Sequence, residues 1–213
     1  MAKVLIIGAS RGIGLEAVKQ ALAAGHSVRA MARSARRIPV THDRLEKVAG
    51  DALDREAVRD ALHDQDAVIQ ALGVSPSPRM LLEPVRLFSD ATRILIDAMH
   101  QMGVKRLICL TGFGAGDSRY YGNFLYRTAF TLFLGRVYDD KTVQERLVRE
   151  SDLDWVIARP TILTNGPKTG TYKVLTDPKD WRCGFISRAD VADFLVKQIT
   201  LDRYLRQTPV LTR

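Results

Sequence analysis

The stretch VLIIGASRGIG, residues 4–14, joins a short apolar strand to a helix through a turn that contains three glycines. Gly8 permits the tight turn, Gly12 allows the backbone to approach a pyrophosphate closely, and Gly14 lets the helix pack on the strand. The N–H groups at the start of the helix then face the phosphates. Because strand, loop and helix follow in this order, the stretch predicts a dinucleotide-binding turn; the alternative is a glycine turn with only a structural role.

Strands and helices alternate along the 213 residues, a length that suits one α/β domain. Apolar runs predict strands at 3–7, 26–32, 45–48, 67–72, 106–110 and 154–158, and helical spacing predicts helices at 12–24, 54–62, 84–102, 140–150 and 188–200. Near-continuous apolar strands between helices are typical of a parallel sheet covered on both faces. We therefore expect an α/β fold: a single Rossmann domain over 1–213, with a doubly wound, mostly parallel sheet and a small C-terminal substrate-side region.

The later part of the chain is expected to cover the substrate side, with 113–136 and 163–186 forming a lid. Ser187 and Asp190 fit a capping pattern for the last helix. Asp139 and Asp140 are interpreted as caps of the helix at 140–150. The apolar stretch 124–134 is interpreted either as a helix packed on the domain edge or as a substrate lid or dimer face, so a monomer or a homodimer is expected.

The composition limits the possible partners. The net charge is +8 and the pI about 9.7, but the basic residues are scattered and no DNA-reading motif is present, so no nucleic-acid partner is expected. The apolar runs are too short to span a bilayer and the chain enters its first strand without a leader, which predicts a cytoplasmic protein without a membrane partner. Cys109 and Cys183 lack metal-ligand spacing, so no metal site is expected.

The residue after the second strand indicates which dinucleotide is bound. Sites for NAD place an acidic residue there, on the 2′-hydroxyl of the ribose. This chain has Arg33 at that position, and a guanidinium binds a 2′-phosphate with two hydrogen bonds. Arg11, inside the glycine turn, can reach the same phosphate. The pattern therefore favours NADP(H) over NAD(H), the alternative being arginines that are merely exposed.

Further cofactor contacts are expected where the next strands end. Asp51 follows the third strand and is placed to meet the adenine. The segment Ala71-Leu72-Gly73 follows the fourth strand and can run alongside the cofactor ribose. The cofactor contacts expected from the glycine turn and the ends of these strands are Gly8, Ser10, Arg11, Gly12, Ile13, Gly14, Arg33, Asp51, Ala52, Ala71, Leu72 and Gly73.

One feature of dehydrogenases with this turn is missing. None of the six tyrosines has a lysine four residues later, so there is no Tyr-x-x-x-Lys pair. Five further stretches, by contrast, are present and indicate a family: GDALD at 50–54, DAVIQALG at 66–73, GVKRLICLT at 103–111, DDKTVQERLVRESDLDWVIARPTILTNGP at 139–167 and FISRADVADFL at 185–195. On these stretches the chain resembles, nearly end to end, the atypical short-chain dehydrogenase/reductases that bind NAD(P)H, and within them the flavin reductase and biliverdin-IXβ reductase type.

The resemblance implies roles for residues after the fifth and sixth strands. Lys141 takes the position of the lysine in the missing pair, and Val137 that of the tyrosine; Tyr138, about 100° further round a helix, points elsewhere. Thr111 and Lys141 are the expected catalytic residues and also contact the nicotinamide or its ribose. Contacts with the carboxamide are expected from Pro160, Thr161 and Ile162, and contacts with the substrate from Phe113 and Tyr138.

The missing tyrosine limits the chemistry. Reduction of a ketone needs a proton donor on the oxygen, which disfavours that reaction and also an epimerase. A planar conjugated acceptor such as a flavin, quinone or tetrapyrrole delocalises the charge that hydride transfer creates, so positioning suffices. The sequence therefore predicts an NADPH-dependent reductase of such an acceptor. The alternative is a non-catalytic NADP(H)-binding redox sensor or regulatory protein of the NmrA type.

Overall fold

The computed structural model describes residues 1–74, 85–121 and 124–213, and for 120 and 124–134 it describes the backbone only. Within these ranges the strands are β1 Lys3–Ile7, β2 Ser27–Ala32, β3 Leu45–Ala49, β4 Ala67–Gln70, β5 Arg106–Leu110, β6 Asp154–Pro160, β7 Ile162–Thr164, β8 Lys173–Leu175, β9 Phe185–Ser187 and β10 Val210–Thr212. The α-helices are α1 Gly12–Ala23, α2 Arg55–Ala61, α3 Leu87–Met102, α4 Phe124–Glu150 and α5 Arg188–Lys197.

The strands form one large sheet in the order β3-β2-β1-β4-β5-β6-β10-β8. Neighbouring strands are parallel except at the edge, where β8 runs antiparallel to β10. A separate parallel pair consists of β7 and β9. The strand order reverses between β1 and β4. The chain first adds β2 and β3 on one side of β1, and it then adds β4 on the other side of β1. Ligands of such sheets bind outside the carboxyl ends of the strands at this reversal.

Alternating side chains of the strands fill a hydrophobic core on each face of the sheet. Val4 and Ile6 of β1 face the layer that contains α1 and α5. Leu5 and Ile7 face the opposite layer, where side chains of α2, α3 and α4 pack. Successive residues of a strand point to opposite faces, so an unbroken apolar run is what a doubly covered strand requires. The expected single-domain Rossmann fold is confirmed.

Several predicted boundaries differ from those observed. The strand predicted to end at residue 72 ends at Gln70, and the one predicted to end at residue 158 continues to Pro160. The helix predicted at 188–200 ends at Lys197, and the hydroxyl of Ser187 accepts from the Asp190 N–H as the capping pattern predicted. The helix predicted to start at 84 begins at Leu87, with Pro84 outside the described residues. The three-residue strands β7 to β10 were not predicted, because they are too short to show a period.

The interpretation of Asp140 as a cap of its own helix is wrong. Helix α4 begins at Phe124, so Asp140 lies in its interior. The carboxylate of Asp140 instead accepts hydrogen bonds from the N–H groups of Phe88 (2.7 Å) and Ser89 (3.3 Å), at the start of α3. These N–H groups have no partner within their own helix. Asp140 therefore caps α3 from a distance, which local sequence cannot indicate.

The predicted role of the apolar stretch 124–134 concerns side chains outside the described residues. Its backbone is helical and continuous with the rest of α4. In the described part of the chain, no helix is both long and apolar enough to cross a bilayer.

Replacing Asp140 by alanine is expected to lower the free energy of unfolding by about 2 kcal/mol, because two buried N–H groups lose their acceptor. Asp139→Ala is the matched control: it is the neighbouring position on the same helix, and its carboxylate is exposed and paired with Arg119. Alanine has the same helix propensity at both positions, so that contribution cancels. Urea unfolding measures both variants. Equal losses for the two would contradict the assignment of Asp140 as a cap.

Candidate functional site

A cleft of about 950 Å³ opens at the carboxyl ends of the central strands, where the strand order reverses. A cleft of this size is at the upper end of the range of roughly 300–1,000 Å³ that small-molecule sites occupy. Its lining includes most of the predicted cofactor residues, which come from the ends of six strands and, in the case of Lys141, from helix α4: Gly8, Ser10, Arg11, Gly12, Ile13, Arg33, Asp51, Ala52, Ala71, Leu72, Gly73, Thr111, Lys141 and Pro160.

The glycine turn has the geometry that a close approach of backbone requires. Gly8 has a φ of +87°, and a Cβ there would lie 2.5 Å from the carbonyl oxygen of Ala71. A Cβ on Gly14 would overlap the carbonyl oxygen of Gly8, so Gly14 serves the packing of α1 on β1 and lies behind the cleft. Gly12 has a φ of +56° and lines the cleft. The turn therefore leaves room for a ligand group at the N-terminus of α1.

The charge of the lining suits a polyanion. Five basic side chains line the cleft: Arg11, Arg33, Arg37, Lys141 and Arg188. Among the described lining residues, Asp51 is the only carboxylate. All four of these arginines lie near the glycine turn or the end of β2, where a dinucleotide carries its phosphates. The glycine turn and this charge together fit a nicotinamide dinucleotide.

Thr111, directly after β5, has its hydroxyl proton engaged inside the protein. The hydroxyl donates to the Glu145 carboxylate (2.7 Å), and Glu145 in turn accepts two hydrogen bonds from Arg159 (2.9 and 2.5 Å). Both members of this ion pair are almost fully buried. Although burial lowers the pKa of Arg159, its hydrogen bonds and attraction to Glu145 and Asp117 raise that pKa above its usual value. With its proton directed at Glu145, Thr111 can offer a ligand only an acceptor oxygen.

Lys141 is the basic residue at the inner end of the cleft. Its side chain is 8 % exposed, and Nζ donates to the carbonyl oxygen of Thr111 (3.1 Å). The same Nζ lies 4.2 Å from the centre of the Phe88 ring, which provides a cation–π contact. Burial lowers the pKa of Lys141 to about 8, and the nearby Glu145 and Asp140 offset only part of this effect. The ammonium is therefore predominantly charged at pH 7 but can lose its proton near neutrality.

Position 137 is filled by a buried valine, four residues before Lys141, and this valine lines the cleft. Tyr138, which was expected to contact the substrate but to point away from the position of the missing tyrosine, also lines the cleft. Its hydroxyl oxygen lies 2.6 Å from the place where a Cβ on Gly112 would be. The absence of a side chain at Gly112 thus allows Tyr138 to fold over the end of β5, which a simple 100° helical step does not reveal.

Besides Gly14, three predicted contact residues lie outside the lining. Phe113 packs in a separate aromatic cluster, with ring centres 6.1 Å from Tyr121 and 6.5 Å from Trp181. The Thr161 hydroxyl donates to the carbonyl oxygen of Leu211, and Ile162 begins β7 with 42 % of its surface exposed. The chain leaves the cleft after Pro160 and returns to it at Leu163, so neighbouring residues of this segment have different surroundings.

Sequence reasoning missed several lining residues. Phe88 and Arg188 come from the first turns of α3 and α5, and Arg37 from a short 3₁₀ helix after β2. The only local signal was the cap at Ser187, which placed the start of α5 but not its neighbour in space. Among the described residues, no group of three or more His, Cys, Asp or Glu side chains is arranged to hold a metal ion.

Comparison with solved structures finds the same fold in other proteins. Two structures of ChuY are similar over nearly the whole of both chains. The protein from Escherichia coli CFT073 is 27% identical, with a TM-score of 0.79, and the match covers 100% of this chain and 97% of the ChuY chain. ChuY from Escherichia coli O157:H7, described as an anaerobillin reductase, is 26% identical with a TM-score of 0.81 and covers 99% and 96%.

Sequence relatives with other roles also match. The photosystem II assembly factor Ycf39 of Synechocystis is 24% identical over 97% of this chain, which spans 61% of the relative's length. Residues 8–202 match the model of the family described as NAD(P)H-binding. The glycine turn, the strand order and this match over most of the chain agree, and the protein belongs to the NAD(P)H-binding family.

Proposed function

We propose that the protein is an NADPH-dependent reductase that transfers hydride to a planar conjugated acceptor, with a tetrapyrrole-type acceptor as the first choice. The observation that carries the proposal is the pairing of a buried Lys141 with a valine at position 137, in a cleft that begins at the glycine turn. In this arrangement Lys141 provides a cation in the cleft, but the tyrosine that donates the proton in ketone reduction is missing.

The preference for NADPH rests on the residues around the end of β2. Arg33 follows Ala32 directly and is exposed at the mouth of the cleft, with Arg37 one turn further on. In an NAD-specific site a carboxylate at this point would bind the ribose hydroxyls and repel a 2′-phosphate. Asp51 lies across the cleft at the next strand end, where it can meet the adenine. The guanidinium of Arg33 is thus the residue expected to bind the 2′-phosphate.

The chain's own groups position the reactants and supply charge. NADPH, when bound, provides the hydride. Thr111 accepts a hydrogen bond, because its proton is held by Glu145, and so can orient a carboxamide or a ribose hydroxyl. Lys141 can donate to a ribose hydroxyl or to the acceptor and stabilise negative charge that develops there. With a pKa of about 8 it can also release a proton to the reduced product and regain one from solvent.

The class of acceptor is inferred from the site and from similarity. A conjugated system spreads the charge over many atoms, so one lysine and correct orientation are sufficient. ChuY from Escherichia coli O157:H7, which is described as an anaerobillin reductase, has 26% identity over nearly the full length of both chains. That likeness supports a linear tetrapyrrole over a simple flavin or quinone.

A non-catalytic NADP(H) sensor is the second candidate. It is favoured by the absence of a hydroxyl proton donor at position 137 and by the engagement of the Thr111 proton with Glu145. A sensor would bind NADPH without oxidising it in the presence of any acceptor. Consumption of NADPH with biliverdin, FMN, riboflavin and a simple quinone, measured together with NADPH binding, distinguishes the two functions. Turnover with NADPH supports the reductase, and tight binding without turnover supports the sensor.

Replacing Arg33 by glutamine is expected to weaken NADPH binding roughly 10- to 100-fold, because a charged hydrogen-bonding partner of the 2′-phosphate is lost. NADH binding is expected to change less than about 2-fold, since NADH has no phosphate there. Arg36→Gln is the matched control, because Arg36 is exposed in the short helix that follows Arg33 but does not line the cleft. Fluorescence titration of both nucleotides gives the affinities. Equal losses for NADPH and NADH in Arg33→Gln would contradict a contact with the 2′-phosphate.

Replacing Lys141 by methionine is expected to lower kcat for acceptor reduction about 100-fold, because the cation at the inner end of the cleft is lost. In the wild type, kcat should fall as the pH rises through about 8, since the protonated lysine is the active form and deprotonation removes it. Lys141→Arg should restore part of kcat and move this fall to higher pH. Stopped-flow rates from pH 6 to 10 test these expectations, with thermal unfolding to verify folding. A pH profile unchanged by Lys141→Met would refute the assignment.

A further inference from the structure

Arg188, the first residue of α5, lies beside the glycine turn. Its side chain is partly buried and lines the cleft. A Cβ placed on Gly12 would have the Cδ of Arg188, 4.0 Å away, as its nearest contact. The side chain of Arg188 therefore passes over the N-terminus of α1, although 176 positions separate the two residues in sequence.

The fold holds this arginine in a defined position. Helices α1 and α5 pack side by side, and the Gln20 side chain of α1 donates to the carbonyl oxygen of Ala189 (2.8 Å). The carboxylate of Asp190, 2 % exposed, accepts from the N–H groups of Thr169 (2.7 Å) and Gly170 (2.8 Å). These bonds attach the start of α5 both to α1 and to the loop after β7. The position of Arg188 relative to the glycine turn is thus fixed from two sides.

In the described part of the chain, the guanidinium of Arg188 is held by a hydrogen bond and is not paired with a carboxylate. Its Nη1 donates to the Oδ1 of Asn165 (2.7 Å), an uncharged acceptor on the loop after β7. Among the described residues, no carboxylate lies within ion-pair distance of Arg188. A guanidinium has five N–H donors, so one bond to an amide leaves the others for a ligand. An arginine held in this way is suited to an anion that arrives in the cleft.

We propose that Arg188 binds the pyrophosphate of the dinucleotide and that Asn165 is its positioning residue. The proposal rests on the proposed dinucleotide site, in which the pyrophosphate lies at the N-terminus of α1. Arg188 would bind the pyrophosphate together with the N–H groups of the glycine turn. The C-terminal half of the chain thus contributes to cofactor binding, and the contribution is common to NADPH and NADH. Arg33, by contrast, acts only on the 2′-phosphate.

The test compares ligands that contain different phosphates. Arg188→Gln is expected to weaken NADPH, NADH and ADP-ribose by the same factor, roughly 10- to 100-fold, because all three contain the pyrophosphate. Binding of adenosine 2′-monophosphate, which lacks the pyrophosphate, should stay within about 2-fold and shows that the variant site is folded. Arg33→Gln should give the reverse pattern, with losses for NADPH and adenosine 2′-monophosphate only. Isothermal titration calorimetry provides all of the affinities without any turnover.

Two further variants make the result specific. Arg182→Gln is the control, because Arg182 is an exposed arginine close in sequence that does not line the cleft. Arg188→Lys should recover part of the affinity for pyrophosphate ligands, since the charge is kept. Asn165→Ala should weaken the same ligands less than Arg188→Gln does and leave adenosine 2′-monophosphate unaffected, as expected for a residue that acts through the arginine.

The outcomes separate this inference from the proposed function. Wild-type protein that binds neither NADPH nor NADH would overturn both. Normal wild-type binding with unchanged dinucleotide affinities in Arg188→Gln would overturn only the role of Arg188. A loss confined to NADPH and adenosine 2′-monophosphate would also overturn it, because Arg188 would then contact the 2′-phosphate and not the pyrophosphate.

Discussion

The buried ion pair between Glu145 and Arg159 joins the long helix α4 to the strand β6, and the inner end of the cleft depends on it. Removing two charges from water is costly, and loss of one partner of such a pair typically costs about 3–5 kcal/mol. Here the cost is offset by two direct hydrogen bonds, by a third from Thr111 and by Asp117, which also pairs with Arg159. Because Lys141 lies one helical turn before Glu145, the pair also sets the position of the lysine.

This arrangement is compatible with the proposed reductase activity, in which no tyrosine takes part. In the described structure the hydroxyl proton of Thr111 is directed inward, the residue at 137 is apolar, and the remaining charged group at the inner end of the cleft is Lys141. Its lowered pKa follows from the same burial that keeps the Glu145–Arg159 pair dry. A site of this kind favours acceptors whose negative charge is delocalised, since one cation can stabilise them without transferring a proton in the same step.

The part of the structure that sequence could predict is the part that local physics determines. The glycine turn, the unbroken apolar strands and the cap at Ser187 each depend on residues within a few positions of one another. Asp140 could not be assigned, because the N–H groups it accepts from belong to another helix, 51 and 52 positions away. Thr161 and Ile162 were placed in the cleft because they follow a predicted strand end, yet neither lines it, although Pro160 directly before them does. Phe113, which follows the end of β5, packs instead with Tyr121 and Trp181.

Arg188 shows why the cofactor site of such a fold is not contained in its first half. The glycine turn provides N–H groups and the charge of Arg11, and Arg188 adds a second cation from another element. The reversal of strand order brings the connections on the two sides of β1 together, and α5 packs against α1 on the same face of the sheet. Arg188, the first residue of α5, therefore lies near the N-terminus of α1, and the N-termini of both helices contribute to the lining of the cleft. A charge that looks like one of many scattered arginines in the sequence becomes part of the site through helix packing alone.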